Sequence, residues 1–425
     1  ASFREMTEGT DQQNQKQNSK EKTIMKVATT DEMGRILALY MKQNNDSQEI
    51  LSAIYPYLNA DPQTEIPFDM SELKEYAKEF RKSFPEYSFE MSMVTQMLAY
   101  FLTEAQEDSD DEEFDETKEI ITAYMSDMMD YCKIYNVKSF HNNPFIRNIS
   151  FKEQENEDYK LCYQYMRPYE LGAYGLPERV PASIIDIVKL GCFTQKVKFP
   201  TLCPKNKEDD RLIGVDPMTI FTNESYIKNT EGKVLVLGCR MGYFAYMASL
   251  RKKVESVTII ERDTSIIDLF QSAILPFFEH KEKIEIINAD PIEYLRNVED
   301  GKFDYCFVDL CADLCDIESY FAAKEIGRQW NKTQIEYREE RAFAAVIATQ
   351  VMLEISRLYC HDGGEDDSLE FLFLESTDLE RKVYRYACKL FKNENIETPE
   401  QFVNVLEPEN IISRIDQTQI IFDEV

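Results

Sequence analysis

Apolar residues recur along this chain in two rhythms, and the change of rhythm divides it. From Asp31 to Val137 the spacing is helical. Ile36, Leu37, Tyr40 and Met41 form one stripe, Ile50, Leu51, Ile54 and Tyr55 a second, and Leu73, Tyr76, Ala77 and Phe80 a third. Val94, Met97, Leu98 and Phe101 continue the series, and Ile121, Tyr124, Met125 and Met128 close it. Stripes at this spacing are the buried faces of packed helices. Asp46 with Glu49, and Asp69 with Glu72, have the spacing of capping boxes ahead of two of them. Before Asp31 the chain is rich in Gln, Asn, Lys and Glu and reads as a disordered tail. Beyond Asn142 prolines, tyrosines and short apolar runs take over, with residues 159–166 and 196–199 reading as strands.

From Lys233 onward the pattern becomes strand, turn, helix, repeated. Val234, Leu235, Val236 and Leu237 suit a buried parallel strand. Gly238, Cys239, Arg240, Met241 and Gly242 form a turn into a helix over 243–250. Glycine permits a tight turn and a close approach to ligand, and the helix start offers unpaired N–H groups. A second strand, 257–260, ends at Glu261, and a helix over 264–275 is expected to stop at Pro276. A third, 284–287, leads to Asp290 and a helix over 291–298 with proline at its first position. A fourth, 303–308, ends in Asp309. Residues 333–337 read as a fifth strand and 369–374 as a further candidate, with helices over 339–359, over 381–391 and from Thr398. Alternation of this kind implies a parallel sheet that binds ligand at its carboxyl edge, where Glu261, Asp290 and Asp309 would meet.

The spacing of glycines and acids narrows the ligand. Three residues separate Gly238 from Gly242 and no third glycine follows, so a dinucleotide fingerprint is absent. Glu261, 23 residues beyond Gly238, is placed for a ribose diol, and Asp290 suits an adenine amino group. A nucleoside without phosphates fits, which points to S-adenosylmethionine. At these residues the chain resembles the class I S-adenosylmethionine-dependent methyltransferases, and its 254–263 stretch is most similar to the spermidine-synthase-like branch. The resemblance implies a Rossmann-like methyltransferase sheet (an α/β fold) preceded by a small β element, and the helical stripes ahead of that element read as a helical N-terminal domain. A helical C-terminal extension would follow. It assigns Gly238, Cys239, Arg240, Gly242, Glu261 and Asp290 to the cofactor and gives Asp309 the catalytic role of orienting or deprotonating the nucleophile. Two departures stand out: Arg240 replaces the family's middle glycine, and Val236 replaces an acid usual in the first strand. Arg240 either pairs with the cofactor's carboxylate or obstructs the pocket. The polyamine-synthase signature is missing too, because Leu310, Cys311, Ala312 and Asp313 follow Asp309.

The expected organisation is a tail over 1–30, a helical domain over 31–140, a β-containing lead-in over 141–230, the cofactor domain over 231–340 and the extension over 341–425. Tyr169, Glu170 and Tyr174 of the lead-in, and Asp216 to Thr219 just before the sheet, are weaker candidates for lining the cleft. Asp313 and Asp316 are further acids near the same edge.

Composition then limits the partners. A formal charge of −30 argues against a nucleic-acid surface and against anionic membranes. No apolar run reads as a membrane span, and the scattered cysteines read as free thiols of a cytoplasmic protein. Three dispersed histidines and no paired C-x-x-C motif leave no metal site, although Cys306, Cys311 and Cys315 cluster. The acid-rich stretch over 104–119 lacks the glycine of a calcium-binding loop. The functional expectation is methyl transfer to a small-molecule or protein acceptor. A non-catalytic scaffold or sensor and an aminopropyltransferase are the alternatives. The N-terminal helices would serve a homo-oligomer or protein partner.

Overall fold

The computed structural model describes residues 25–54, 69–104, 133–170, 172–173, 178–179, 186–187, 189–206, 213–310, 316–360 and 377–425. The chain divides into two compact units, one of Ala1–Ala38 with Phe343–Val425 and one of Leu39–Ala342.

The N-terminal apolar stripes fold as helices α1 (Asp31–Ile54), α2 (Met70–Ser83) and α3 (Phe89–Glu104). Asp69 caps α2 by accepting from the Ser71 N–H at 2.6 Å. No break occurs at Asp46, because α1 runs through it; the expected cap there is corrected. The last stripe, over 121–128, and the candidate strand over 369–374 lie outside the described residues.

The lead-in is an antiparallel sheet built on β1 (Tyr159–Met166), β2 (Val197–Pro204) and β3 (Ile213–Gly214), in spatial order β3, β2, β1, with Gln154–Glu155 at its edge. The second strand is longer than its sequence suggests, because Pro200 and Pro204 sit within it and still pair with Tyr163 and Tyr159. Leu161 and Leu202 face each other across β1 and β2 and pack into the core of the following domain. Helix α4 (Pro217–Asn229), capped by Asp216, then leads into the main sheet.

That sheet has five parallel strands: β4 (Gly232–Leu237), β5 (Val254–Glu261), β6 (Ile284–Asn288), β7 (Tyr305–Val308) and β8 (Gln334–Tyr337). Their order is β6, β5, β4, β7, β8. Central β4 pairs with β5 on one side and β7 on the other, so Val234 to Leu237 are wholly buried, as an all-apolar strand requires. Chain order reverses around β4, so the carboxyl ends of β4, β5 and β7 frame the crevice where such sheets bind ligand. Between them run α5 (Tyr243–Ser249), α6 (Thr264–Leu269), α7 (Pro291–Asn297) and α8 (Ile317–Gly327).

The helix expected over 264–275 is α-helical only to Leu269. A π-turn covers Phe270–Ile274 and a short 3-10 turn covers Leu275–Phe277. Pro276 lacks an N–H and its ring crowds the carbonyl four residues back, so the regular ladder cannot reach it.

In the unit of Ala1–Ala38 with Phe343–Val425, Lys26–Val27 pairs in parallel with Asn395–Ile396, so ordered chain begins before Asp31. Thr398 and Gln401 form the reciprocal capping box their spacing implies. Glu340–Cys360 is long and apolar enough to cross a membrane, against the reading that no such span exists. Half of it is buried in the protein, with Ile347, Val351 and Ile355 nearly inaccessible, which is the burial of a core helix.

Candidate functional site

The turn after β4 needs two glycines for stated reasons. Gly238 has φ 95°, and a Cβ there would sit 2.3 Å from the carbonyl oxygen of Asp309. Gly242 has φ 70° and precedes α5. Arg240, at the position where the resembled family has its middle glycine, also takes positive φ, 48°. The glycine backbone geometry is therefore kept by a residue that has a Cβ, at a strain cost of about 1–3 kcal/mol.

Glu261 at the end of β5 is buried and braces this turn. Its Oε2 accepts from the Cys239 N–H and its Oε1 from the Asp263 N–H, each at 2.9 Å. Asp263 in turn caps α6 through Oδ1, and its Oδ2 accepts from the Tyr159 hydroxyl at 2.8 Å. Asp290 caps α7, its Oδ1 accepting from the Ile292 and Glu293 N–H groups at 2.9 Å; the cap does not use Oδ2. Cys239 contributes its backbone only. Its side chain is buried in the core, and burial, then Glu261, pushes the thiol well above its ordinary range.

Asp309 follows β7 and is clamped by two cations. Arg240 Nη1 donates to Oδ1 at 2.9 Å, and Arg338 Nη1 donates to Oδ1 at 3.1 Å and Oδ2 at 3.4 Å. Burial acts to raise this carboxyl, but the two guanidiniums outweigh it and hold it below its usual value. A carboxylate so stabilised is a weak base. Arg338, just beyond β8, also faces Glu339, with Nε 3.4 Å from Oε1. Burial raises the carboxyls of Glu339 and Asp216, partly offset by these same arginines.

Gly238, Arg240, Glu261, Asp290 and Asp309 line one cleft, of about 210 Å³. Tyr159, Pro204 and Ile213 of the antiparallel sheet wall its other side. A larger cavity, about 590 Å³, lies between α4, α5 and Phe193; of the sequence-derived candidates only Pro217 lines it, and none of the glycine-turn residues or strand-end acids does. The smaller cleft is the functional candidate because the strand-end acids converge there.

Tyr169 and Glu170 do not line it: Glu170 is buried and accepts from the Arg167 N–H at 2.6 Å. Tyr174, Asp313, Cys311 and Cys315 lie outside the described residues. Asp216 does not line the cleft either; it is the α4 cap, accepting from the Thr219 N–H at 2.8 Å. Among the described residues no cluster suits a metal ion. Sequence reasoning missed Arg338. The signal was available, since it directly follows the fifth strand, at the same edge as the three acids.

The strand order, the glycine turn and the acids at the ends of β5 and β7 define a class I S-adenosylmethionine-dependent methyltransferase-like fold. Residues 219–331 match the spermine/spermidine synthase domain, a match that supports a methyltransferase-like or aminopropyltransferase family for this segment. Among solved structures, spermidine synthase from Thermotoga maritima is similar at 10% identity and TM-score 0.24, covering 48% of this chain and 68% of that one. A spermidine synthase in complex with the transition-state analogue AdoDATO matches with the same 10% identity, coverages of 48% and 68%, and TM-score 0.24. No curated protein matches the chain by sequence.

Proposed function

We propose that this domain binds S-adenosylmethionine and transfers its methyl group to a small-molecule or protein acceptor. The observation that carries the reading is Glu261, buried beneath the glycine turn and bonded to it, with Asp290 at the neighbouring strand end across the same cleft. Each Glu261 oxygen accepts one backbone N–H, and a carboxylate oxygen has a second lone pair for a ribose hydroxyl. Asp290 would take the adenine amino group. The bound cofactor supplies an electrophilic methyl group. The protein's part is positioning, since methyl transfer depends on alignment of nucleophile and methyl carbon. Asp309, held anionic, orients the acceptor more readily than it takes a proton from it.

Arg240 favours the intact cofactor over its decarboxylated form. It lines the cleft, and Arg338 keeps Asp309 paired when Arg240 turns to an incoming carboxylate. This counts against aminopropyl transfer, which uses the decarboxylated form. The double clamp on Asp309 also supports a second reading, a domain that binds cofactor without turning it over. Binding with no methylated product from any acceptor offered would select that reading.

Calorimetric titration of the full chain tests the pocket. Wild type should bind S-adenosylmethionine and S-adenosylhomocysteine, and Glu261→Ala and Asp290→Ala should each weaken both by about 10- to 100-fold, the loss expected for a hydrogen bond to a charged group. No binding to the wild type would end the proposal. Arg240→Gly separates the cofactors. Glycine suits the φ of 48°, so the turn is kept. S-adenosylmethionine should lose about tenfold, with the decarboxylated form unchanged, because only one carries the partner carboxylate. Tighter wild-type binding of the decarboxylated form would point instead to aminopropyl transfer.

A further inference from the structure

We propose that Cys162 and Cys203 form a dithiol site that a hydroperoxide converts to an intramolecular disulfide. The two lie 41 residues apart and are brought together by strand register. Cys162 stands opposite Thr201 and Cys203 opposite Lys160, which puts both sulfurs on one face of the antiparallel sheet as diagonal neighbours. Their Sγ atoms are 3.5 Å apart, a thiol hydrogen bond. A disulfide needs about 2.05 Å, so closing the bond takes a shift of roughly 1.5 Å, shared between side-chain rotation and a small approach of the two strands.

The pair is chemically unequal. Cys162 is buried, 6% exposed, whereas Cys203 is partly open to solvent. The contact with Cys162 lowers the Cys203 thiol against the opposing effect of burial, Gln164 Nε2 donates to the same sulfur at 3.8 Å, and the Lys160 charge also lowers it. The greater exposure of Cys203 and this added donor make it the attacking thiol and Cys162 the resolving one.

The chemistry balances in two steps. The Cys203 thiolate attacks one oxygen of the hydroperoxide; an S–O bond forms, the O–O bond breaks, and the departing oxygen leaves as alcohol or water after taking a proton. The Cys162 sulfur then attacks the sulfenic sulfur; the S–S bond forms, the S–O bond breaks, and hydroxide leaves as water with the Cys162 proton. Two thiols lose two electrons and the hydroperoxide gains them. Cys203 immediately precedes Pro204, and Tyr159 begins the partner strand, so the bond would form in the strand pair that walls the cleft.

Peptide mass mapping of the full chain after hydrogen peroxide, with remaining thiols alkylated, tests this. The expected result is a linked peptide containing Cys162 and Cys203, cleaved by dithiothreitol. In Cys162→Ser the product should stop at a Cys203 sulfenic acid captured by dimedone. In Cys203→Ser, Cys162 oxidation should slow by about tenfold or more, since a buried thiol without the thiolate partner is inert. Full alkylation of both residues while other cysteines oxidise would overturn the proposal. So would Cys203 passing to sulfinic acid in the wild type without linkage, or undiminished Cys162 oxidation in Cys203→Ser.

Discussion

Gly238→Ala should destabilise the Leu39–Ala342 unit by about 2–4 kcal/mol, the combined cost of a strained backbone and a forced contact. The position has φ 95°, outside the range an alanine adopts readily. The new Cβ would lie 2.3 Å from the backbone oxygen of Asp309, a group that cannot rotate aside. Both chains are pinned: the Gly238 N–H donates to Ile260 O and the Asp309 N–H to Leu237 O, each at 2.9 Å. Relief would have to part β4 from β7 at the ligand edge, so cofactor binding should vanish along with the stability. Gly242→Ala is the internal comparison. Its φ is 70°, and its Cβ would sit 2.4 Å from the buried Phe270 ring, a side chain that can repack where the Asp309 backbone cannot move aside. The expected cost there is about 1–3 kcal/mol, backbone strain plus a modest repacking. Urea midpoints for the two variants check the order. A Gly238→Ala midpoint equal to wild type would mean that Gly238 and Asp309 are not held together.

What could be read from the residues alone follows a physical division. Strands β4, β5, β6 and β7 were legible because each is a short apolar run closed by a glycine or an acid. Their common edge followed from parallel topology. The placement of Glu261, Asp290 and Asp309 around one cleft needed no more than that. Departures arose where the outcome depends on a distant partner or on competing local signals. Asp46 and Glu49 have capping spacing, yet α1 continues through them, since a cap signal cannot stop a helix whose next turn is also favourable. The π-turn at Phe270–Ile274 reflects Pro276 acting further back than a simple helix stop. Cys162 and Cys203 carry no local signal at all, because only the register of β1 on β2 joins them. Asp309 was visible as an acid at a strand end, but its electrostatic state was not: that depends on Arg338, 29 residues later and two strands from β4.

Arg338→Met should cost about 3–5 kcal/mol at neutral pH, the usual penalty for removing one partner of a buried ion pair. Arg338 and Asp309 side chains are only 7% and 9% exposed, so solvent screens the pair little. Methionine fills similar space, which keeps packing loss small. The variant leaves Asp309 with Arg240 alone and takes from Glu339 and Asp216 a cation that offsets their burial. The pH dependence follows with a definite sign. In wild type the Asp309 carboxyl is held below its ordinary 3.8, so its contribution to stability is present above that value and is lost as pH falls through the lower folded one. Glu339 and Asp216 have the opposite sign, because raised carboxyls lose stability as pH climbs through the unfolded and then the folded value. Without Arg338, burial is less opposed at all three acids, although Arg240 still pairs with Asp309. The deficit of the variant should therefore be greatest near neutrality and shrink as the solution is acidified towards pH ~4, where the acids begin to take up protons. Adding Asp309→Asn to Arg338→Met should recover part of the loss at neutral pH, since the buried charge that only Arg240 would then offset is gone. A deficit independent of pH, unrelieved by the second change, would show that Arg338 holds this edge by packing. The paired-charge account of Asp309 would then fail, and its standing as a weak base with it.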